Sequence, residues 1–201
     1  MPRPRTSEVH AYGFIKDNLK ILGWVVKNPA RSSDGQVYTQ QECLEDARIA
    51  EKLGARHPEN IVKLSENEFY VIEAKPQRDR ISEALAQAQE RYAERINEST
   101  HIKVKIISGV AGNDADGYLV KSKFLQNGVF RPIIVNGREL TSLITPQIAR
   151  ILLETNNPVI RDVPVDERIF LSAAEKINSI LHKGLINKNN RAKVMSALLL
   201  P

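Results

Sequence analysis

The chain has a single cysteine. Cys43 therefore has no intrachain partner, which excludes a disulfide scaffold and a cysteine-rich zinc site. A reducing compartment is the expected home. No stretch approaches the roughly 18 consecutive apolar residues of a membrane-spanning helix. Met1-Pro2-Arg3-Pro4-Arg5 is basic, but the apolar segment of a secretory signal does not follow it, so a cytoplasmic protein is expected. The four histidines, His10, His57, His101 and His182, have no ligand-like spacing, and no nucleophile motif surrounds any serine or Cys43. Gly109-Val110-Ala111-Gly112 lacks the lysine and hydroxyl ending of a phosphate-binding loop, so neither an ATP site nor a dinucleotide fingerprint is supported.

The 201 residues suffice for one sizeable α/β domain, or for one domain plus a helical appendage. Hydrophobic residues at 42% and charged residues at 26% are the proportions of a globular chain rather than a disordered one. Lys plus Arg number 29 against 24 Asp plus Glu, a net charge of +5. That excess is compatible with a polyanionic partner without specifying one.

Apolar periodicity predicts a first helix over 8–22, capped by Ser7 and closed by Gly23. A short buried strand is expected at Trp24-Val25-Val26. Thr39 and Glu42 have capping-box spacing and open a second helix through Leu53, ended by Gly54. Residues 60–64 and 68–74 flank a turn at 65–67 and read as a β-hairpin. A strong helix follows over 79–97, then a strand over 101–110 and a loop over 109–117. Short strands are expected at 118–121 and 131–135. From 147 onward the pattern is helical, over 147–154, 172–183 and from 189. The order implies an α/β fold with a mixed central sheet. A core over 1–146 would be followed by a helical extension over 147–201. The apolar run at 194–200 reads as a cut through a longer polypeptide.

One constellation carries chemistry. Along the second hairpin strand Val71, Glu73 and Lys75 share a face, because side chains alternate. An acid and a base thus leave an apolar strand together, just before Pro76 ends ladder pairing. Glu59, after Pro58, precedes the partner strand and returns toward Glu73. Two carboxylates and a lysine are the minimum equipment for phosphodiester hydrolysis with a hard cation. Carboxylate and carbonyl oxygens suit Mg2+, which keeps several waters, and lysine can orient or deprotonate a water and stabilise developing charge.

Pro58-Glu59 followed by Glu73-Ala74-Lys75 resembles the signature of the PD-(D/E)xK nuclease superfamily. Val71-Ile72-Glu73-Ala74-Lys75 is similar to the active-site strand of type I restriction enzymes and related restriction–modification fusions. Glu8, Phe14, Ile15, Leu19 and Leu22-Gly23-Trp24 resemble the first helix of those nuclease domains. Residues 86–93, with Gln87, Gln89 and Tyr92, resemble the glutamine–tyrosine helix that follows the active-site lysine in RecB-like and type I enzymes. The likeness covers roughly residues 7–95, in order.

This resemblance implies a restriction-endonuclease-like sheet and a Mg2+-dependent (or Mn2+-dependent) endonuclease acting on double-stranded DNA. Glu59, Glu73 and the Ala74 carbonyl would be metal ligands, and Lys75 would orient or activate the attacking water. Glu8 would lie beside the site and help hold a metal-bound water; at a helix start it also complements the dipole. Gln89 lies nearer the face of Tyr92 than Gln87 does on an ordinary helix, and either can serve or be solvated. The resemblance also implies methyltransferase or translocase modules as partners, a helical connector toward them, and a transient dimer for double-strand cutting.

Two departures from the family stand out. Glu59 replaces the usual aspartate, and the glutamine four before Tyr92 is here Ala88. A non-catalytic DNA-binding or assembly module on the same fold is the alternative. Lys63, Arg78, Arg80, Arg91 and Arg95 are candidate phosphate contacts. Glu83, Glu90 and Glu94 interleave with the arginines and can pair with them instead. Lys183, Lys188, Arg191 and Lys193 form a later basic cluster.

Overall fold

The first helix, α1 (Val9–Ile21), buries Ile15 and Leu19 completely. It ends because Gly23 adopts φ 97°, a conformation that costs glycine little. The Gly23 N–H then donates to the Lys20 carbonyl (3.1 Å) and the Trp24 N–H to that of Leu19 (3.0 Å), the bond pair of a Schellman closure. The computed structural model describes residues 9–163, 174–175, 177–182, 184, 186–187 and 190–194; the Ser7 cap and Glu8 lie outside them. Trp24-Val25-Val26 is not a strand, contrary to expectation. The Val25 N–H is taken by the Gln36 side chain (2.9 Å), and the Val25 carbonyl by the N–H groups of Lys27 and Gln36. Trp24 is buried with its indole N–H donating to the Ile144 carbonyl (2.7 Å).

The expected second helix is divided. Glu42 accepts the Thr39 N–H (2.9 Å) as the spacing predicted, but this opens only a 3-10 stretch, Gln40–Glu45. Asp46 then accepts the Arg48 N–H (3.0 Å) and starts α2 (Ala47–Leu53). Thr39 also ends an unanticipated strand, β1 (Val37–Thr39).

The hairpin forms as expected from β2 (Asn60–Lys63) and β3 (Glu68–Lys75). A long helix, α3 (81–97), crosses back to β4 (Lys103–Asn113), which runs parallel to β3. α3 is α-helical over Ile81–Ala86, π-helical over Gln87–Ala93 and α-helical over Glu94–Asn97. β4 runs through Gly109 and Gly112, which were expected in a loop, and only residues 114–116 turn before β5 (Gly117–Gln126). Asn127 and Gly128, both at positive φ, join β5 to β6 (Val129–Pro132) in the manner of a type I′ hairpin. The six strands stand in the order β1-β2-β3-β4-β5-β6, antiparallel except for β3 and β4. The fold is thus α/β with a mixed central sheet flanked by helices.

A small sheet follows, of β7 (Ile134–Val135), β8 (Arg138–Glu139) and β9 (Val159–Ile160). Before β9 comes α4 (Pro146–Thr155), with Thr145 accepting the Ile148 N–H (3.1 Å) as its cap. α4 and β9 pack on the same apolar cluster as α1. The first compact unit therefore extends to Val163 rather than 146, and a second covers Pro164–Pro201. Within the second, residues 177–182 and 190–194 are helical, as expected of that region; Lys183 and Lys188 lie outside the described residues. Among the described residues no helix is long and apolar enough to cross a membrane.

Two apolar layers cover the sheet. α1 and α4 close one side over Tyr70, Ile72 and Phe124; α2 and α3 close the other over Ile61, Val71 and Ile107. A hydroxyl chain pins the first layer. Tyr70 meets Ser108 at 2.7 Å, Ser108 meets Ser122 at 2.6 Å, and Ser122 donates to the Ser142 carbonyl at 3.2 Å. Tyr70→Phe takes a hydroxyl partner from buried Ser108, so urea unfolding should show a loss of about 1–3 kcal/mol.

Candidate active site

β3 supplies the centre of the site. Val71 belongs to the layer facing α3, with Leu85, Ala88 and Tyr92, so Glu73 and Lys75 face the same side by strand alternation. Both are buried, at 6% and 9% exposure, and the Lys75 Nζ lies 3.5 Å from Glu73 Oε1. The β2–β3 register pairs Asn60 with Ile72. One step further places Glu59 opposite Glu73, as the hairpin reading expected. Gln40, at φ 41°, holds Glu59 from the first position after β1: its N–H donates to the Glu59 carbonyl (2.9 Å) and its Nε2 to Glu59 Oε2 (3.4 Å).

Burial pushes the Glu73 carboxyl up from 4.5 to about 7. Lys75 opposes that shift, while the negative charge of Glu59 adds to it. A buried carboxyl beside a second carboxylate resists ionisation, as desolvation and like charge do generally. A cation between them would relieve both. The donors available are Glu59, Glu73 and the Ala74 carbonyl, all hard oxygens, and the set fits Mg2+ or Mn2+. Among the described residues no group of three or more acid, His or Cys side chains gathers. A cation here would keep much of its water shell.

α3 reaches the same strand end. Tyr92 is buried in the layer that Val71, Leu85 and Ala88 share. Burial first, then the charge of Glu73, hold that phenol above its ordinary range. Glu83 accepts Arg80 through Nε (2.7 Å) and Nη2 (2.5 Å) and Gln87 Nε2 (3.3 Å). Its carboxyl is lowered by those Arg80 hydrogen bonds, and further by the positive charges of Arg80 and Lys75.

Gln89, favoured over Gln87 in the sequence, is not brought to the site. It donates to exposed Glu94 (2.9 Å). The π turn is the physical reason: it changes which residues share a helix face, and α-helical spacing no longer applies. Glu8 lies outside the described residues. Lys63 also departs from expectation, since it pairs with Phe69 and Glu66 at the turn end of the hairpin, away from Glu73. Arg78 donates to the Asp116 carbonyl (2.9 Å), beside the mouth of the site.

Sequence reasoning did not single out Gln40 or the Arg80–Glu83–Gln87 cluster. Glu83 was visible only as a partner for helix arginines, and nothing local marks Gln40 as adjacent to Glu59. No family model, no curated protein and no solved structure matches this chain.

Proposed function

We propose that this chain is a Mg2+-dependent endonuclease domain that hydrolyses phosphodiester bonds of double-stranded DNA, of the kind found in restriction–modification enzymes. The observation that carries the reading is the buried Glu73–Lys75 pair at the end of a central strand, with Glu59 across the hairpin. Glu59, Glu73 and the Ala74 carbonyl would hold the cation. When bound, a divalent ion polarises the phosphate and lowers the pKa of water. Lys75 donates from a dry pocket toward that strand end, where its charge orients the water and offsets the negative charge developing on phosphate. Arg78 and Arg80, both exposed, would meet a phosphate backbone, which sets affinity and its salt dependence rather than sequence choice.

The proposed setting is cytoplasmic, with methyltransferase or translocase modules as partners and a transient dimer when both strands are cut. Supercoiled plasmid with Mg2+ tests the reading. Wild type should convert it to nicked and linear forms, and Lys75→Ala should be at least about 100-fold slower. Equal cleavage by both would remove the assignment. Calorimetry separates the non-catalytic module: Mg2+ binding lost in Glu73→Gln supports the nuclease, and no binding by wild type supports the module.

A further inference from the structure

We propose that Asn113, the last residue of β4, is a positioning residue for Lys75. It ties the β4–β5 turn to the chain leaving β3 and so holds the strand end that carries the site. The catalytic part of this inference rests on the nuclease reading; the tie itself does not.

The end of β3 is supported from one side. The last β2 rung pairs Asn60 with Ile72. Glu73, Ala74 and Lys75 lie beyond it and have ladder partners on β4 alone, namely Gly109, Val110 and Ala111. Pro76 has no N–H to donate and closes that ladder. Pro76 is also the last buried residue here, and residues 77–80 are exposed. Chain ends with few hydrogen-bonded neighbours open more readily than strand interiors. A site built on this end needs a restraint past Lys75.

Asn113 supplies one. Its side chain can make four hydrogen bonds, two as donor and two as acceptor, and it makes all four. Three close the turn. Oδ1 accepts the N–H groups of Ala115 (2.9 Å) and Asp116 (3.0 Å), and Nδ2 donates to Asp116 Oδ2 (2.9 Å). The fourth leaves the turn: Nδ2 donates to the Pro76 carbonyl (3.4 Å), 37 positions away in the chain. A second tie runs the opposite way, from the Arg78 guanidinium to the Asp116 carbonyl (2.9 Å). The two bonds fix residues 76–78 against the turn, directly after the last rung of β3.

Exchanging two side chains separates the tie from the turn. In Asn113→Asp with Asp116→Asn, the three turn bonds form again with the 113–116 donor and acceptor reversed. The backbone carbonyl at 116 still receives Arg78, and net charge is unchanged. Only the Pro76 carbonyl loses its donor. This double variant should keep its urea midpoint and its KM for plasmid while kcat for nicking falls about tenfold, because a misplacement of about 1 Å can cost 100-fold. Unchanged kcat would mean that Asn113 serves the turn alone and would overturn the proposal. Should the double variant not fold, Arg78→Ala decides, since it removes the second tie and leaves the turn intact. Its kcat should fall as its KM rises, and a rise in KM alone would overturn the proposal.

Hydrogen exchange in metal-free buffer without DNA reads the tie with no turnover. Amides of residues 73–75 should exchange about fivefold faster in the double variant, the change that losing one ordinary hydrogen bond permits. Amides of residues 69–71, between β2 and β4, should keep the wild-type rate. Faster exchange at 73–75 with an inert wild type would refute the nuclease reading alone. Unchanged exchange and unchanged kcat in an active enzyme would refute this inference alone.

Discussion

Glu73→Gln should stabilise the metal-free protein by about 3 kcal/mol near pH 8.5 and leave it almost unchanged near pH 4, while abolishing nicking. The size follows from the site. Burial beside Glu59 holds the Glu73 carboxyl at about 7 in the folded chain, against 4.5 ordinarily, and each pH unit of difference is worth 1.36 kcal/mol. The direction follows from which state binds the proton. Below about 4.5 the carboxyl is neutral in both states and contributes nothing against folding. Between 4.5 and about 7 the unfolded chain ionises while the folded one keeps its proton, so stability falls as pH rises. Above about 7 the full cost is present, and an isosteric amide avoids it. Urea unfolding at both pH values reads the effect. A stabilisation independent of pH, or a destabilised variant at pH 8.5, would show that the carboxylate is not held in a desolvated site. A surface acid would show neither the gain nor its pH window, since exposed carboxylates are stabilised by water and screened by salt.

That tension is the reason the site was partly legible in the sequence. Glu73 and Lys75 interrupt an otherwise apolar strand of Phe69, Tyr70, Val71 and Ile72, and a strand buried along its length has no structural use for them. Alternation alone put them on one face. The hairpin turn at 65–67 fixed where Glu59 must return, and both inferences needed only local periodicity. The helix side was less legible, because its register depends on a π turn that no spacing rule assuming 3.6 residues per turn anticipates. Gln89 was favoured over Gln87 for that reason alone. The Gly109–Gly112 stretch was read as loop because glycines weaken strands locally, yet β4 is paired on both sides, with β3 and β5. β1 was missed for a related reason. Three residues carry little pattern, and Val37–Thr39 becomes a strand only by pairing with β2 across more than twenty positions of chain.

Gly109→Val should cost more than the roughly 1–3 kcal/mol usual for overpacking and should also reduce nicking, because Gly109 is where α3 rests on the sheet. Gly109 pairs with Glu73 on one side and Lys121 on the other. A Cβ there would lie 2.6 Å from the Leu85 nitrogen and 2.9 Å from its Cα. Those are backbone atoms, so no rotamer change relieves the contact, and the helix must lift away from β4. Lifting it carries Tyr92 away from the β3 layer against which it packs. Gly109→Ala should therefore cost about 2 kcal/mol, and adding Leu85→Ala should not restore it. Rescue by Leu85→Ala would mean that side-chain crowding, rather than backbone contact, demands the glycine. Gly13 in α1 is the matched control, because a Cβ there meets nothing within 4 Å. Gly13→Ala should gain up to about 1 kcal/mol from helix propensity and leave nicking intact. The contrast between two glycine-to-alanine changes, one lost and one gained, then isolates the close approach of α3 to β4 as the contact on which the site depends.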